Sequence, residues 1–190
     1  HVNAQLPITV AKEDAARAAE TSKRCGGPEA VLLDVRAATE TQGEVLFDGE
    51  ALPAQPAVIV QRGLAQVAEG RQLFPQMTVR ENLELGGYLL PRGERAARLE
   101  RVFDFFPRLA ERRSQVAGTL SGGEQQMLSM ARALATEPSL LLLDELSMGL
   151  APIIVQGLYE QVAEIARDGL SIVVVEQFAH EVLGVADTAS

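Results

Sequence analysis

The chain has 190 residues, 47% of them apolar and 23% charged, which suits one domain, or one domain with an inserted subdomain, around a sizeable core. A formal net charge of −9 argues against a nucleic-acid sleeve, which shows a basic face. Cys25 is the single cysteine, so no internal disulfide forms and a reducing compartment is acceptable.

The opening residues, His1 to Val10, lack a charged start followed by an apolar run, so no secretory signal is evident. The segment Ala11 to Glu20 is Ala-rich and charged, and Ala15 to Thr21 reads as helix. After Cys25-Gly26-Gly27, the run Glu29 to Arg36 reads as a helix with Pro28 at its first turn. Gly43 to Asp48 alternates enough for a strand, and Asp48-Gly49 signals a turn. From about residue 75 to 135 the texture is helical. Thr78-Val-Arg-Glu81 is a capping box. Glu94 to Phe106 places Leu99, Val102, Phe103 and Phe106 on one helical face. Ser121-Gly-Gly-Glu124 is a second capping box, opening a helix to about Thr136.

Beyond Pro138 the pattern alternates strand and helix. Leu140 to Leu143 is a continuous apolar run of the kind a buried parallel strand needs. A helix follows from about Pro152 to Arg167, Asp168-Gly169 turns the chain, and Ile172 to Val175 is another buried strand. Strand, helix, strand at this spacing implies a parallel sheet with helices packed on it. No stretch is long enough to span a bilayer: Leu146 to Tyr159, the longest without a charge, is interrupted by Gly149, Pro152 and Gly157.

Two constellations carry chemistry. Leu140-Leu-Leu-Leu-Asp144-Glu145 is an apolar strand ending in adjacent carboxylates. In open parallel sheets, ligands sit beyond the carboxyl ends of strands. A carboxylate there can hold the water shell of Mg²⁺, and its neighbour can orient or deprotonate an attacking water. A strand that simply ends in solvated acids has the same sequence. Leu120-Ser121-Gly122-Gly123-Glu124 is the other. Its glycines admit a ligand to the backbone, and the helix start offers free N–H groups to a phosphate. An ordinary capped helix start also explains it.

Taken together, these strings resemble the ABC ATPase family. Leu120 to Glu124 matches the family's signature motif, Ala131-Arg-Ala-Leu134 follows in the helix, and Leu140 to Glu145 matches its Walker B strand. The resemblance runs from about Gly43 to Ala186. Glu69-Gly-Arg-Gln-Leu-Phe-Pro-Gln-Met-Thr-Val-Arg-Glu-Asn-Leu83, Phe106-Pro-Arg-Leu-Ala-Glu-Arg-Arg113 and Ser147-Met-Gly-Leu-Ala-Pro152 look like the branched-chain amino acid importers within it. The resemblance implies an α/β, P-loop NTPase-like (RecA-like) parallel sheet flanked by helices. A helical subdomain would be inserted at about 75–135, within an ABC ATPase domain of residues 43–190. It implies ATP and Mg²⁺, with Asp144 serving the metal, Glu145 as general base and Gln177 as a γ-phosphate contact. Ser121, Gly122, Gly123 and Glu124 would meet the nucleotide of a second ABC ATPase subunit, identical or different, and Glu69 would stand at the Q-loop position. Separate membrane-spanning permease subunits would hold the chain at the inner, cytoplasmic face of the cell membrane. Glu69 and the helical region would face them.

The sequence departs from the pattern at its N-terminal end. A P-loop reads G-x-x-x-x-G-K-[ST], and no such string occurs in these 190 residues. The only lysines are Lys12 and Lys23. Family spacing counted back from Gly43 puts the loop near Ser22 to Glu29, with Gly27 in the lysine's place and Pro28 and Glu29 in the hydroxyls' places. Residues 1–42 therefore read as a divergent or truncated part of the nucleotide-binding domain. Loss of the lysine cradle is expected to slow the chemical step at least about a thousandfold, roughly 4 kcal/mol. Leu146 stands where Walker B is usually followed by proline, and Ala68 where proline usually precedes Glu-Gly-Arg. His180 reads as an ordinary surface histidine.

Overall fold

The computed structural model describes residues 8–11, 46–48, 50–176 and 188–189. Its centre is a five-stranded sheet in the order β4-β5-β6-β1-β7. The strands are β1 (Ile8–Ala11), β4 (Leu64–Val67), β5 (Leu140–Asp144), β6 (Ser171–Val175) and β7 (Thr188–Ala189). Every pairing in it is parallel. A hairpin of β2 (Leu46–Phe47) and β3 (Glu50–Ala51) stands apart from it. Helices fill the connections: α1 (Pro56–Gln61), α2 (Val79–Gly86), α3 (Arg92–Phe105), α4 (Pro107–Ala110), α5 (Gly122–Leu134) and α6 (Pro152–Arg167). The expected parallel sheet flanked by helices is present.

Side-chain alternation along the strands divides the interior in two. Leu141 and Leu143 of β5 point, with Ala65, Val67, Ile172 and Val174, into the large core beneath α2 to α6. Leu140 and Leu142 point the other way, onto Phe47, Leu64, Leu52, Ile59 and Val173. Both faces of β5 are therefore covered, which is why its four leucines run without a polar break. Leu141 and Leu143 are fully buried, and each contributes about 1.5–3 kcal/mol of transfer free energy.

Both capping boxes form. Thr78 Oγ1 accepts from the Glu81 amide at 3.2 Å, and Glu81 Oε2 accepts from the Thr78 amide at 2.7 Å. Ser121 Oγ accepts from the Glu124 amide at 3.4 Å, and Glu124 Oε2 accepts from the Ser121 amide at 2.9 Å. In α3, Leu99, Val102 and Phe103 are buried as the helical spacing predicts. Phe106 is buried too, but it lies just past the helix, at the junction with α4. The signature helix stops at Leu134 rather than Thr136, because Glu137 takes a left-handed φ of 59°.

Other expectations change. Of the strand expected from Gly43 to Asp48, Leu46–Phe47 is strand and Asp48 turns the chain at φ 55°, while residues 43–45 lie outside the described residues. The helices expected at Ala15–Thr21 and Glu29–Arg36 lie outside the described residues, as does Gly49. Five elements carried no expectation: β1, β3, α1, β4 and β7. Ile8-Thr-Val-Ala11 is three-quarters β-branched, a signal for the strand it forms beside β6. Pro56-Ala-Val-Ile-Val-Gln61 is helical despite its β-branched run, with Pro56 in its first turn.

Leu141→Ala is expected to lower unfolding free energy by about 2–5 kcal/mol in a denaturant titration, whereas Ile153→Ala, at a position 73% exposed, stays within about 0.5 kcal/mol. A second expectation concerns pH. Hydrogen bonds from the Ser121 hydroxyl and amide, with the Arg112 and Arg108 charges nearby, hold the Glu124 carboxyl below its ordinary value. Its folded pKa is depressed, so its contribution is complete above the ordinary glutamate value and fades as pH falls through the depressed one. The unfolding midpoint of the wild type should therefore drop more steeply between about pH 5 and pH 3 than that of Glu124→Gln; parallel curves contradict this.

Candidate nucleotide site at the sheet rim

The sheet delivers two acids to its rim. Asp144 ends β5 opposite Val175, and the Glu145 amide donates to the Val175 carbonyl at 2.9 Å. The chain then turns sharply, with Glu145 in the left-handed region at φ 48°. A non-glycine residue adopts this conformation only where its surroundings hold it. Leu146 and Ser147, both buried, anchor the chain immediately after it.

Facing Glu145 across a cleft of about 370 Å³ is the segment Glu69 to Pro75. Gly70, Arg71 and Gln72 all have positive φ, at 80°, 64° and 47°. Three consecutive left-handed residues need outside support, and α5 supplies it. The Ser129 hydroxyl donates to the Arg71 carbonyl at 2.7 Å, and Arg132 Nη1 donates to the Gln72 carbonyl at 2.7 Å. Arg71 Nη1 returns a hydrogen bond to Gln125 Oε1 at 2.9 Å. The Arg132 guanidinium also lies over the Phe74 ring, 5.7 Å from its centre, and burial lowers its pKa. Buried Asn82 ties the far end, accepting from the Phe74 amide and donating to the Phe74 carbonyl, both at 3.0 Å. The cleft is thus lined by Glu69, Gly70, Arg71, Gln125, Gln126 and Glu145, among others.

The predicted residues fall in two places. Glu69 and Glu145 share the cleft, with Asp144 adjoining Glu145 in the chain. Ser121 to Glu124 stand at the start of α5, where Ser121 is exposed and Gly122 half-buried. Glu124 is engaged by the capping box and by Arg112, whose Nε lies 3.1 Å from Oε1. Gly123 is buried, and a Cβ there would stand 2.5 Å from Ile154 Cγ2. Its missing side chain thus lets α5 and α6 approach, and any ligand contact falls to its amide. A Cβ on Gly122 would stand 3.2 Å from Arg71 Nη2 and 3.5 Å from Leu150 Cδ2. Gln177, His180 and the segment Ser22 to Glu29 lie outside the described residues. Sequence reasoning missed Arg71, Ser129 and Arg132 as supports of the cleft; only the left-handed backbone reveals their task. Among the described residues, no three His, Cys, Asp or Glu side chains gather into a metal cage, and no helix is long and apolar enough to cross a membrane.

The family model for ABC transporters matches residues 31–147. The chain is 43% identical over 166 residues to the high-affinity branched-chain amino acid transport ATP-binding protein BraG of Pseudomonas aeruginosa, covering 87% of this chain and 67% of that protein. It is 34% identical to the probable branched-chain amino acid transport ATP-binding protein LivF of Archaeoglobus fulgidus, covering 80% of this chain and 65% of the relative. It thus spans about two thirds of the length of either relative. Among solved structures, the ADP conformation of the ATP-binding cassette MJ1267 superposes with a TM-score of 0.71 at 22% identity, covering 95% of this chain and 74% of that one. A nucleotide-free ATP-binding cassette gives the same TM-score at 21% identity, with the same coverage. At that identity the structural likeness speaks for the fold, and it agrees with the sheet and rim described above. The chain belongs to the ABC transporter family, as an ATPase of the branched-chain amino acid importer type.

Proposed function

We propose that this chain is the ATP-binding subunit of an importer for branched-chain amino acids, and that its signature segment completes the nucleotide site of a second ABC ATPase subunit. The observation that carries the reading is the accessible start of α5. Ser121 is exposed and Gly122 half-buried beside Arg71, at the edge of the cleft that Glu69 and Glu145 line. A helix start with a capped first turn still presents amides and the positive end of the helix dipole to an anion. A partner's triphosphate is an anion of the right kind.

The cleft is this chain's own half-site. Asp144 would hold Mg²⁺ through water, a mode that suits an ion content with one or two carboxylates plus phosphate oxygens. Glu145 would orient the attacking water, and Gln177 would touch the γ-phosphate. All three depend on a phosphate-wrapping loop, and the Gly-Lys-Ser/Thr string of such a loop does not occur in these 190 residues. This favours a chain that is catalytically impaired alone and competent beside an intact partner. The surface complementing Ser121 needs no loop of its own.

A second face fits a permease. Phe74, Leu85, Tyr88 and Leu89 are exposed around a groove of about 560 Å³ between the cleft segment, α2 and α5. Large exposed apolar side chains gathered at one groove mark an interaction surface. Gln72 and Phe74 line the groove, so a helix seated in it would press on the segment that carries Glu69. This location would hold the chain at the inner face of the membrane.

The isolated chain is expected to show no ATPase, and a mixture with a family subunit carrying an intact P-loop is expected to show it. Ser121→Arg in this chain should abolish the mixture's activity; unchanged turnover removes the composite-site reading. Leu85→Glu should cut co-purification with the permease subunits at least about tenfold while leaving the circular dichroism spectrum intact. Undiminished capture contradicts the groove's assignment.

A further inference from the structure

Glu176 is a buried carboxylate that the cleft does not use. It follows β6 directly and is 5% exposed. Oε1 accepts from the Ser147 amide at 2.9 Å and from the Tyr159 hydroxyl at 2.5 Å. Oε2 accepts from the Ser147 hydroxyl at 2.8 Å. All three donors are neutral. A buried carboxyl group is retained at such a place only when its oxygens are well satisfied.

What this carboxylate grips is specific. Ser147 begins the loop that leads from the end of β5 to α6, and Tyr159 lies within α6. That loop is otherwise lightly tied. The Met148 amide reaches the Glu145 carbonyl and the Leu150 amide reaches the Ser147 carbonyl, both at a long 3.2 Å. Two residues of the clasped elements bear on the signature glycines. Leu150 Cδ2 stands 3.5 Å from where a Gly122 Cβ would be, and Ile154 Cγ2 stands 2.5 Å from that of Gly123. Met148 in the loop and Ile153 in the first turn of α6 are exposed, so the clasp and the Leu150 and Ile154 contacts bear on the loop's position.

We infer that Glu176 is a positioning residue for the signature segment. Its carboxylate fixes the loop 147–151 and the first turns of α6, and through Leu150 and Ile154 these fix the backbone of Gly122 and Gly123. The inference rests on the composite-site reading for its functional consequence, and on geometry alone for the mechanical one. The end of β6 is thereby linked to the surface offered to the partner's nucleotide, 52 to 55 residues away in sequence (176 minus 124 and 176 minus 121).

Amide hydrogen exchange on the whole chain tests the mechanical part. Glu176→Gln and Ser147→Ala should each speed exchange roughly tenfold at Met148 and Leu150, and also at Glu124 and Gln125, whose amides are bonded to Ser121. The strand amides of Leu141 to Leu143 should keep their rates. Ser147→Thr, which keeps the hydroxyl, should restore the wild-type pattern. Acceleration limited to Met148 and Leu150, or spread equally over the strand, overturns the inference. If Glu176→Gln does not fold, Ser147→Ala and Tyr159→Phe decide the matter, each removing one donor. The functional part is read in the mixture with an intact partner: Ser147→Ala should lower kcat several-fold with KM for ATP nearly unchanged, and Ser147→Thr should restore kcat. A rise in KM at constant kcat contradicts it. A wild-type mixture without ATPase sinks the composite-site reading instead, and the exchange pattern still decides the positioning role.

Discussion

Strand β5 is hydrogen-bonded on both edges and covered on both faces, and the rest of the architecture follows from that burial. Its leucines alternate between two cores, so neither face tolerates a polar side chain until the strand leaves the sheet. Leu143 is the last fully buried member, and Asp144 is the first residue to reach the rim. The two acids stand where the buried apolar run of the strand ends. A shift by one residue would exchange the two cores and carry the acids into the sheet, which fixes their register.

The rim is then shaped by α5, which serves both candidate surfaces. Its middle, through Ser129 and Arg132, supports three left-handed residues on the cleft's far wall. Its start, Ser121 to Gly123, is brought against α6 by the absence of a side chain at Gly123. Left-handed backbone flanks the cleft on both sides: at Arg71 and Gln72 it is held by hydrogen bonds from Ser129 and Arg132, and at Glu145 by the buried Leu146 and Ser147 that follow. Strain supported in this way is common where geometry has to be kept for binding. The groove beside Phe74 and Leu85 and the signature segment thus share one helix, α5.

Much of this was legible in the sequence wherever the cause is local. The capping boxes at Thr78 and Ser121 formed as read, since each involves four consecutive residues. Helix α6 runs from Pro152 to Arg167 as expected, because a proline start and an Asp-Gly stop bracket an amphipathic run. What escaped has distant causes. Val58, Ile59 and Val60 favour a strand by propensity, yet lie in α1, where Ile59 packs against Leu140 and Leu142. Nothing in Gly70-Arg71-Gln72 announces a left-handed run; its supports are nearly sixty residues away, at Ser129 and Arg132. Gly123 read as a ligand-facing glycine, and its larger task is contact with Ile154. Glu176 carried no reading of its own, and only the fold brings it to Ser147 and Tyr159.

The account turns on whether the start of α5 meets a nucleotide that another subunit holds. The most direct measurement follows the Gly122 and Gly123 amide resonances of isotopically labelled chain during titration with Mg-ATP, with and without an unlabelled subunit carrying an intact P-loop. The two resonances are expected to move only when nucleotide and partner are both present. Equal movement with nucleotide alone, or none with both, would contradict the account.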